Sequence, residues 1–414
     1  MHPGTAHGPS PADQATVRRL NLALLMRSLV DGGPRSRARL AEDTGLNKAT
    51  VSSIVGELLE LGLVEEGETI RGGPGRPGRV VRPETDTVRF LGIEINVGYV
   101  VGVAVDLTGA VRARVRRDLP LDTGGAAQGL AVIADVAREL AVSSGSTASG
   151  VRSVHVSIPG LVNTDTGVLT WAPNLGWHDI DVVHTLLGRL GWWWALIAVD
   201  NDANLGAMGE YAAGSAAGSP YLLYLAGEVG VGGGSVVNGQ ITRGSHGFAG
   251  EVGHMPLGPG DRRCGCGRIG CWETTVGLSA LLDLDADPAA DRGPVTDLPG
   301  LVRGFRRRAE AGEAAVLEML AEQGRWLGVG VSVLANLLDP EVVVLGGHFP
   351  TLEPFLVEPM HRELDSRLMA PHGRVPRVVF SALGFDAASL GAAHAGRDAL
   401  VADPARVADA PSTR

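Results

Sequence analysis

Residues 250–273 read GEVGHMPLGPGDRRCGCGRIGCWE. All three cysteines of the chain, Cys264, Cys266 and Cys271, lie in this stretch, and His254 precedes the first by ten residues. An odd number of cysteines clustered within eight residues argues against a disulfide scaffold and for a local thiolate site in a reducing compartment. One imidazole and three thiolates form a closed tetrahedral donor set suited to structural Zn2+, with no open position at which water is activated. Gly265, Gly267 and Gly270 supply the tight turns that bring sulfurs so close in sequence onto one ion. The stretch therefore predicts a metal site of His254, Cys264, Cys266 and Cys271 that organises a loop. The plainer reading, three free thiols beside an unrelated histidine, leaves the bracketing glycines without a use.

On both sides of this loop the chain alternates strands and helices. After a junction at Pro83 to Asp86, residues 88–120 form three apolar segments broken at Asn96 to Gly98 and Asp106 to Gly109, which predicts a β-meander. A helix over 127–142, a strand over 151–160, a loop holding Asn174, a further helix and a strand over 195–204 follow. A second cycle opens with the strand YLLYLAGEVGVGGGSVVNG (221–239), and a third apolar strand, EVVVLGG (341–347), follows a long helix ending near Leu338. Such alternation predicts open α/β sheets with ligands at the strand ends.

The first eighty residues differ in kind. In TVRRLNLALLMRSLV (16–30), Leu20, Leu24 and Leu25, with Leu29 and Val30 one turn on, suggest an amphipathic helix stopped by Gly32, Gly33 and Pro34. Ser36 caps a second helix closed by Gly45, and Asn47 caps a third closed by Gly62, a helix-turn-helix spacing. Val51, Ile54, Leu58 and Leu61 would face inward, leaving Lys48, Thr50, Ser52 and Ser53 for base edges and phosphates. Arg37, which opens the second helix, is expected among the DNA contacts as well. The segment after Val64 predicts a β-hairpin carrying Arg71, Arg76 and Arg79 among Gly and Pro, a wing suited to the minor groove. A three-helix interaction domain with a solvated hairpin is the alternative, and the arginine-glycine wing favours DNA.

Composition fits this division. With 44% hydrophobic and 20% charged residues, the 414-residue chain is globular and not mainly disordered. Its net charge of -10 divides into about +2 over residues 1–82 and -12 over the rest, a slightly basic head on an acidic body. Affinity for DNA would then come from paired heads in a homodimer or tetramer. Met1 to Gln14 lacks the apolar core of a signal peptide, and the longest apolar run, Trp192 to Val199, is too short to span a bilayer. A cytoplasmic protein with no membrane partner is expected. Residues 1–13 and 402–414 read as disordered tails.

In order, spacing and wording the chain resembles the ROK family of bacterial sugar kinases and sugar-responsive repressors. The likeness rests on GRPGR (75–79) ending the wing, VDNDANLGAMGE (199–210), the glycine loop GEVGVGGGSVVNGQI (227–241) and the cysteine stretch. It implies an α/β fold: a winged helix-turn-helix over 14–83, then a two-lobed actin-like, ribonuclease H-like sugar-kinase domain over 84–401. The smaller lobe would cover about 84–202 and the larger about 203–387, with a C-terminal helix over 387–401 returning to the smaller. It also implies that Gly160, Asn174, Asn201, Asp202, Glu251, His254 and Glu273 contact a sugar, although NDAN (201–204) alone could simply cap a helix.

In the family's kinases Asp202 would be the base that deprotonates the attacking sugar hydroxyl. Here the first phosphate loop, Glu94-Ile95-Asn96-Val97-Gly98, lacks the family's paired glycines and threonine, and Glu228 stands in the second loop where a hydroxyl residue is usual. Phosphoryl transfer needs a cradle of amides, hydroxyls and metal. The expectation is accordingly a non-catalytic regulator, without ATP, that binds operator DNA and a sugar or sugar derivative, as a repressor of carbohydrate uptake or catabolism genes. The alternative is an ATP-dependent glucokinase or amino-sugar kinase with a DNA-binding head.

Overall fold

A computed structural model describes residues 13–70, 78–119, 125–284, 297–369 and 375–407. The head comprises α1 (Gln14–Gly32), β1 (Arg35–Ser36), α2 (Arg37–Thr44), α3 (Lys48–Glu60), β2 (Val64–Ile70) and β3 (Gly78–Pro83). Its caps follow from sequence. The Ser36 side chain accepts from Arg39 N, Asn47 accepts from Thr50 N, and Gly45 takes the left-handed conformation that ends α2. The hairpin β2–β3 is antiparallel, with β1 on its other edge in the order β1-β3-β2.

The body begins with β4 (Arg89–Asn96), β5 (Tyr99–Val105) and β6 (Val111–Asp118). It continues through α4 (Gly125–Ser143), β7 (Val151–Ile158), β8 (Leu161–Asn163), β9 (Val168–Ala172), β10 (Trp177–Asp181), α5 (Val182–Leu190), β11 (Leu196–Asn201) and α6 (Asp202–Ala213). The second lobe holds β12 (Tyr221–Gly227), β13 (Val231–Val237), β14 (Gln240–Ile241), α7 (Glu273–Val276), α8 (Leu278–Leu284), α9 (Leu298–Glu310) and α10 (Ala314–Leu338). It ends with β15 (Val342–Gly347), α11 (Phe349–Arg367), β16 (Arg377–Phe380) and α12 (Ala387–Ala402).

The two five-stranded sheets share one topology. The first runs β11-β7-β4-β5-β6 and the second β14-β13-β12-β15-β16, each an antiparallel meander extended by two parallel strands. This is the duplicated arrangement expected of an actin-like body. Ile93, Ile95 and Val154 of the first sheet pack with Ile133, Val136 and Leu140 of α4. Leu223, Leu225 and Val343 of the second pack with helices α9 to α11.

Helix α12 ties the parts together. It lies along β4 and β7, and along α6. A Cβ on Gly391 would stand 1.7 Å from Leu205 O, and one on Gly92 would stand 1.9 Å from Ser389 O, so only glycine permits this approach. At its far end Leu400 and Val401 share a core with Leu22, Leu25, Met26 and Leu29 of α1, and Arg19 pairs with Asp403 at 2.5 Å.

Four sequence expectations need correction. Leu20 and Leu24 are 63% and 43% exposed, because α1 turns Leu22, Leu25, Met26 and Leu29 inward. In α3, Val55 is buried where Leu61 was expected, since Leu61 sits at the helix C-cap. Residues 221–239 form two strands, not one, hydrogen-bonded back to back through a turn at Glu228–Gly230. Asp13 and residues 402–407, expected to lie in disordered tails, are ordered: Asp13 caps α1 through Thr16 N, and Pro404–Val407 form a 3-10 turn beside α1; residues 1–12 and 408–414 lie outside the described residues.

Candidate functional site

In the head, Lys48, Ser52 and Ser53 are exposed on α3 and Thr50 is half-buried. Arg37 is engaged: it donates to Glu66 Oε1 at 2.7 and 3.1 Å and to Ser52 O at 3.3 Å, while Arg79 donates to the other Glu66 oxygen at 3.3 Å. The Arg37 guanidinium holds the Glu66 carboxyl below its ordinary range. Arg37 thus fastens the wing to α3, a positioning role that helix-start reasoning did not reveal. Arg71 and Arg76 lie outside the described residues.

Between the lobes lies a cavity of about 420 Å³, lined among others by Gly160, Asn174, Asn201, Asp202, Glu228, Glu251, His254 and Glu273. All seven residues singled out as sugar contacts therefore meet in one cleft. Asn201 ends β11 and caps α6: its Oδ1 accepts from Ala203 N and Asn204 N, and its Nδ2 donates to Gly160 O at 3.1 Å. The capping reading of NDAN thus holds for Asn201, whose side chain also pins the Gly160 loop. Gly160 has φ +145, and a Cβ there would meet Trp171 O at 2.3 Å. Asp202, the first residue of α6, is half-buried, and desolvation by the surrounding protein pushes its carboxyl up to about 6 despite the helix amides.

Beside Asp202 the lobes touch through Asn96 and Glu228. Asn96, at the end of β4, donates its amide to Glu228 in the β12–β13 turn and, at 3.1 Å, to Glu94; Tyr99 also donates to Glu94. Burial pushes Glu94 up to about 8, and Glu228 is likewise raised, first by burial and then by Glu94. A second bridge joins Arg243, beyond β14, to Asp200 of β11 at 2.7 and 2.9 Å. Trp171, Phe248, Arg268 and Arg243 were missed by sequence reading. Trp171 and Phe248 resemble ordinary core residues in sequence, and nothing local marks Arg243 as a partner of Asp200.

Because folded Glu94 retains a proton to about pH 8 and an unfolded carboxyl loses it near 4.3, the folded state binds more protons in between. Its contribution is full at acid pH and is lost as pH rises toward 8. Melting measured at pH 6 and pH 8.5 should fall less in Glu94→Gln than in the parent protein; equal falls would contradict a protonated Glu94.

The cysteine loop closes the cleft on the side of the second lobe. Cys264 Sγ lies 3.6 Å from His254 Nδ1, Cys266 Sγ lies 3.7 Å from Cys271 Sγ, and all four donor atoms fall within 4.8 Å of one another. Two thiolates at about 2.3 Å from a tetrahedral zinc stand about 3.8 Å apart, so the donor set fits that ion. Burial pushes the Cys264 and Cys271 thiols up, a cost that a divalent cation offsets. Gly267 and Gly270 adopt φ of +85 and +74, whereas Gly265, expected to share this role, is not left-handed. His254 Nε2 is 3.7 Å from Glu251, on the edge opposite the thiols. Glu273 meets the same loop, 3.5 Å from His254 Nδ1, and accepts from Val231 N in the glycine turn. Trp272 anchors the loop, donating to Trp326 O at 2.9 Å.

Fold and cleft together define a two-lobed body of the sugar-kinase type carrying a helix-turn-helix head. The chain belongs to the ROK family, whose model matches residues 90–398. It is 29% identical over 381 residues to the xylose repressor of Bacillus subtilis (strain 168), covering 92% of this chain and 95% of that one. Its fold is similar to that of a ROK family transcriptional regulator described as a homolog of the E. coli MLC protein (TM-score 0.77, 22% identity, 95% of this chain and 99% of that one). A ROK family glucokinase from Streptomyces griseus, solved with glucose and AMPPNP, matches with a TM-score of 0.65 at 24% identity, over 75% of this chain and 99% of that one. No helix among the described residues is long and apolar enough to cross a membrane.

Proposed function

We propose that this protein is a sugar-responsive DNA-binding repressor of carbohydrate uptake or catabolism genes. Its sugar cleft is braced by zinc on His254, Cys264, Cys266 and Cys271, and its nucleotide site is lost. The observation that carries the reading is the meeting of Asn96 and Glu228 across the lobes, with Glu94 behind them. Buried carboxyl groups stand where phosphoryl chemistry requires anion-binding donors. The repressor name of the Bacillus relative, which matches the chain over head and body alike, supports the regulatory half.

Signalling follows from packing. A sugar held by Asp202 and Asn174 draws the lobes together at the N-terminus of α6. Helix α6 rests on α12 at Gly391, and α12 ends in the core of α1. Closure shifts α12, and with it the paired heads of a dimer or tetramer, away from the operator's half-site spacing. Lys48, Thr50, Ser52, Ser53 and the wing arginines Arg71, Arg76 and Arg79 contact DNA, and Arg37 holds wing and helix in register.

One observation favours a second reading, an ATP-dependent sugar kinase with a DNA-binding head: Asp202, with its carboxyl near 6, suits a general base at neutral pH. Coupled ATP turnover with a panel of hexoses, pentoses and amino sugars separates the two. The regulator reading expects no sugar-dependent turnover above background, and turnover abolished by Asp202→Asn would establish the kinase.

A further inference from the structure

We infer that the effector of this cleft is an uncharged monosaccharide and that Glu228 excludes its phosphate ester; the inference rests on the sugar reading above. The cavity of about 420 Å³ is of a size for one small ligand. Its described lining carries four carboxyl groups, Asp202, Glu228, Glu251 and Glu273, against one arginine, Arg268. Carboxylates accept hydrogen bonds and suit hydroxyl donors, whereas a phosphate monoester brings about -1.5 to -2 charges and only acceptor oxygens.

Arg268, exposed on the cysteine loop, is a single guanidinium set against that acidic lining. Arg243, outside that lining, is held by both oxygens of Asp200.

The glycine turn offers little in compensation. An anion cradle requires free amides, and here Glu228 N is bound to Gly230 O at 2.9 Å, Val231 N to Glu273, and Gly233 N to Gly250 O at 3.0 Å. Glu228 itself is fixed by Asn96 and so cannot swing away from an incoming phosphate. The remaining walls suit a neutral ring. Trp171, stacked on His178 with centroids 6.1 Å apart, presents an aromatic face beside Leu161 and Phe248.

The test is calorimetric titration of the full chain with xylose, glucose and N-acetylglucosamine, each beside its 5- or 6-phosphate. At least one free sugar should bind, and its phosphate should bind at least tenfold more weakly. In Glu228→Thr, shown folded by circular dichroism, that ratio should narrow at least fivefold. A phosphate ester that binds as tightly as its free sugar, or a ratio unchanged in the folded variant, overturns the inference while leaving the sugar reading intact. Binding of no sugar in either form overturns both.

Discussion

Replacing Cys266 by serine should reduce zinc in the purified protein from one ion per chain to near none and weaken sugar binding at least a hundredfold. The size of the effect follows from how much the loop supports. Residues 264–271 hold few apolar anchors of their own, and their backbone turns through Gly267 and Gly270 in left-handed conformations. A structural zinc contributes on the order of 10 kcal/mol to the folding of the segment that binds it, far more than the loop's hydrogen bonds, each worth about 1 kcal/mol. His254 and Glu273 line the cleft directly from this loop and its exit helix, so its loosening should remove two of the proposed sugar contacts and the wall between them. Cys266 is the cleanest choice: it lines the cavity yet is less buried than Cys264 or Cys271, so a serine there perturbs packing least. Metal analysis and calorimetry check the result. Full sugar affinity in a zinc-free variant would show that the loop stands without the ion.

Gly391→Ala should lower the melting temperature by roughly 3–5 °C, since overpacking of about 3 kcal/mol is expected. The added methyl would lie 1.7 Å from Leu205 O and 2.7 Å from Gly209 N. Both are backbone atoms of α6, and a helix cannot move one carbonyl aside without moving its whole axis. A folded variant should still bind sugar, while the sugar loses much of its effect on DNA affinity, because α6 and α12 no longer move as one. Melting within 2 °C of the parent protein would mean that the two helices are not locked together.

Much of this architecture was legible beforehand, for identifiable reasons. Ser36, Asn47 and Gly45 act within three or four residues of themselves, so their capping roles can be read from local sequence. The metal donors lie within eighteen residues of one another, and the meander strands are bounded by turn residues. What escaped depended on distant partners. The leucines of α1 permit two inward faces, and Leu22 and Met26 rather than Leu20 and Leu24 face the core that α1 shares with α2, α3 and, nearly four hundred residues away, α12. The turn at Glu228–Gly230 contains no Asn or Pro to mark it, so two strands read as one. The bridges from Arg243 to Asp200 and from Asn96 to Glu228 join separate lobes, and no periodicity announces such pairs. The weakness of the phosphate loops was visible as missing glycines in the first and Glu228 in the second, but that Glu228 meets Asn96 and Glu94 there required the structure.

In the function proposed, a sugar alone, acting through the cleft, controls the head. The most direct measurement is fluorescence anisotropy of labelled promoter DNA from the chain's own operon, titrated with full-length, zinc-replete protein at fixed salt and without nucleotide. A free sugar that binds the cleft should weaken DNA binding at least tenfold, a coupling of about 1.4 kcal/mol, and the DNA affinity should fall steeply with salt. DNA affinity that stays the same when the cleft is saturated with sugar, or that changes only when ATP is supplied, would contradict the account.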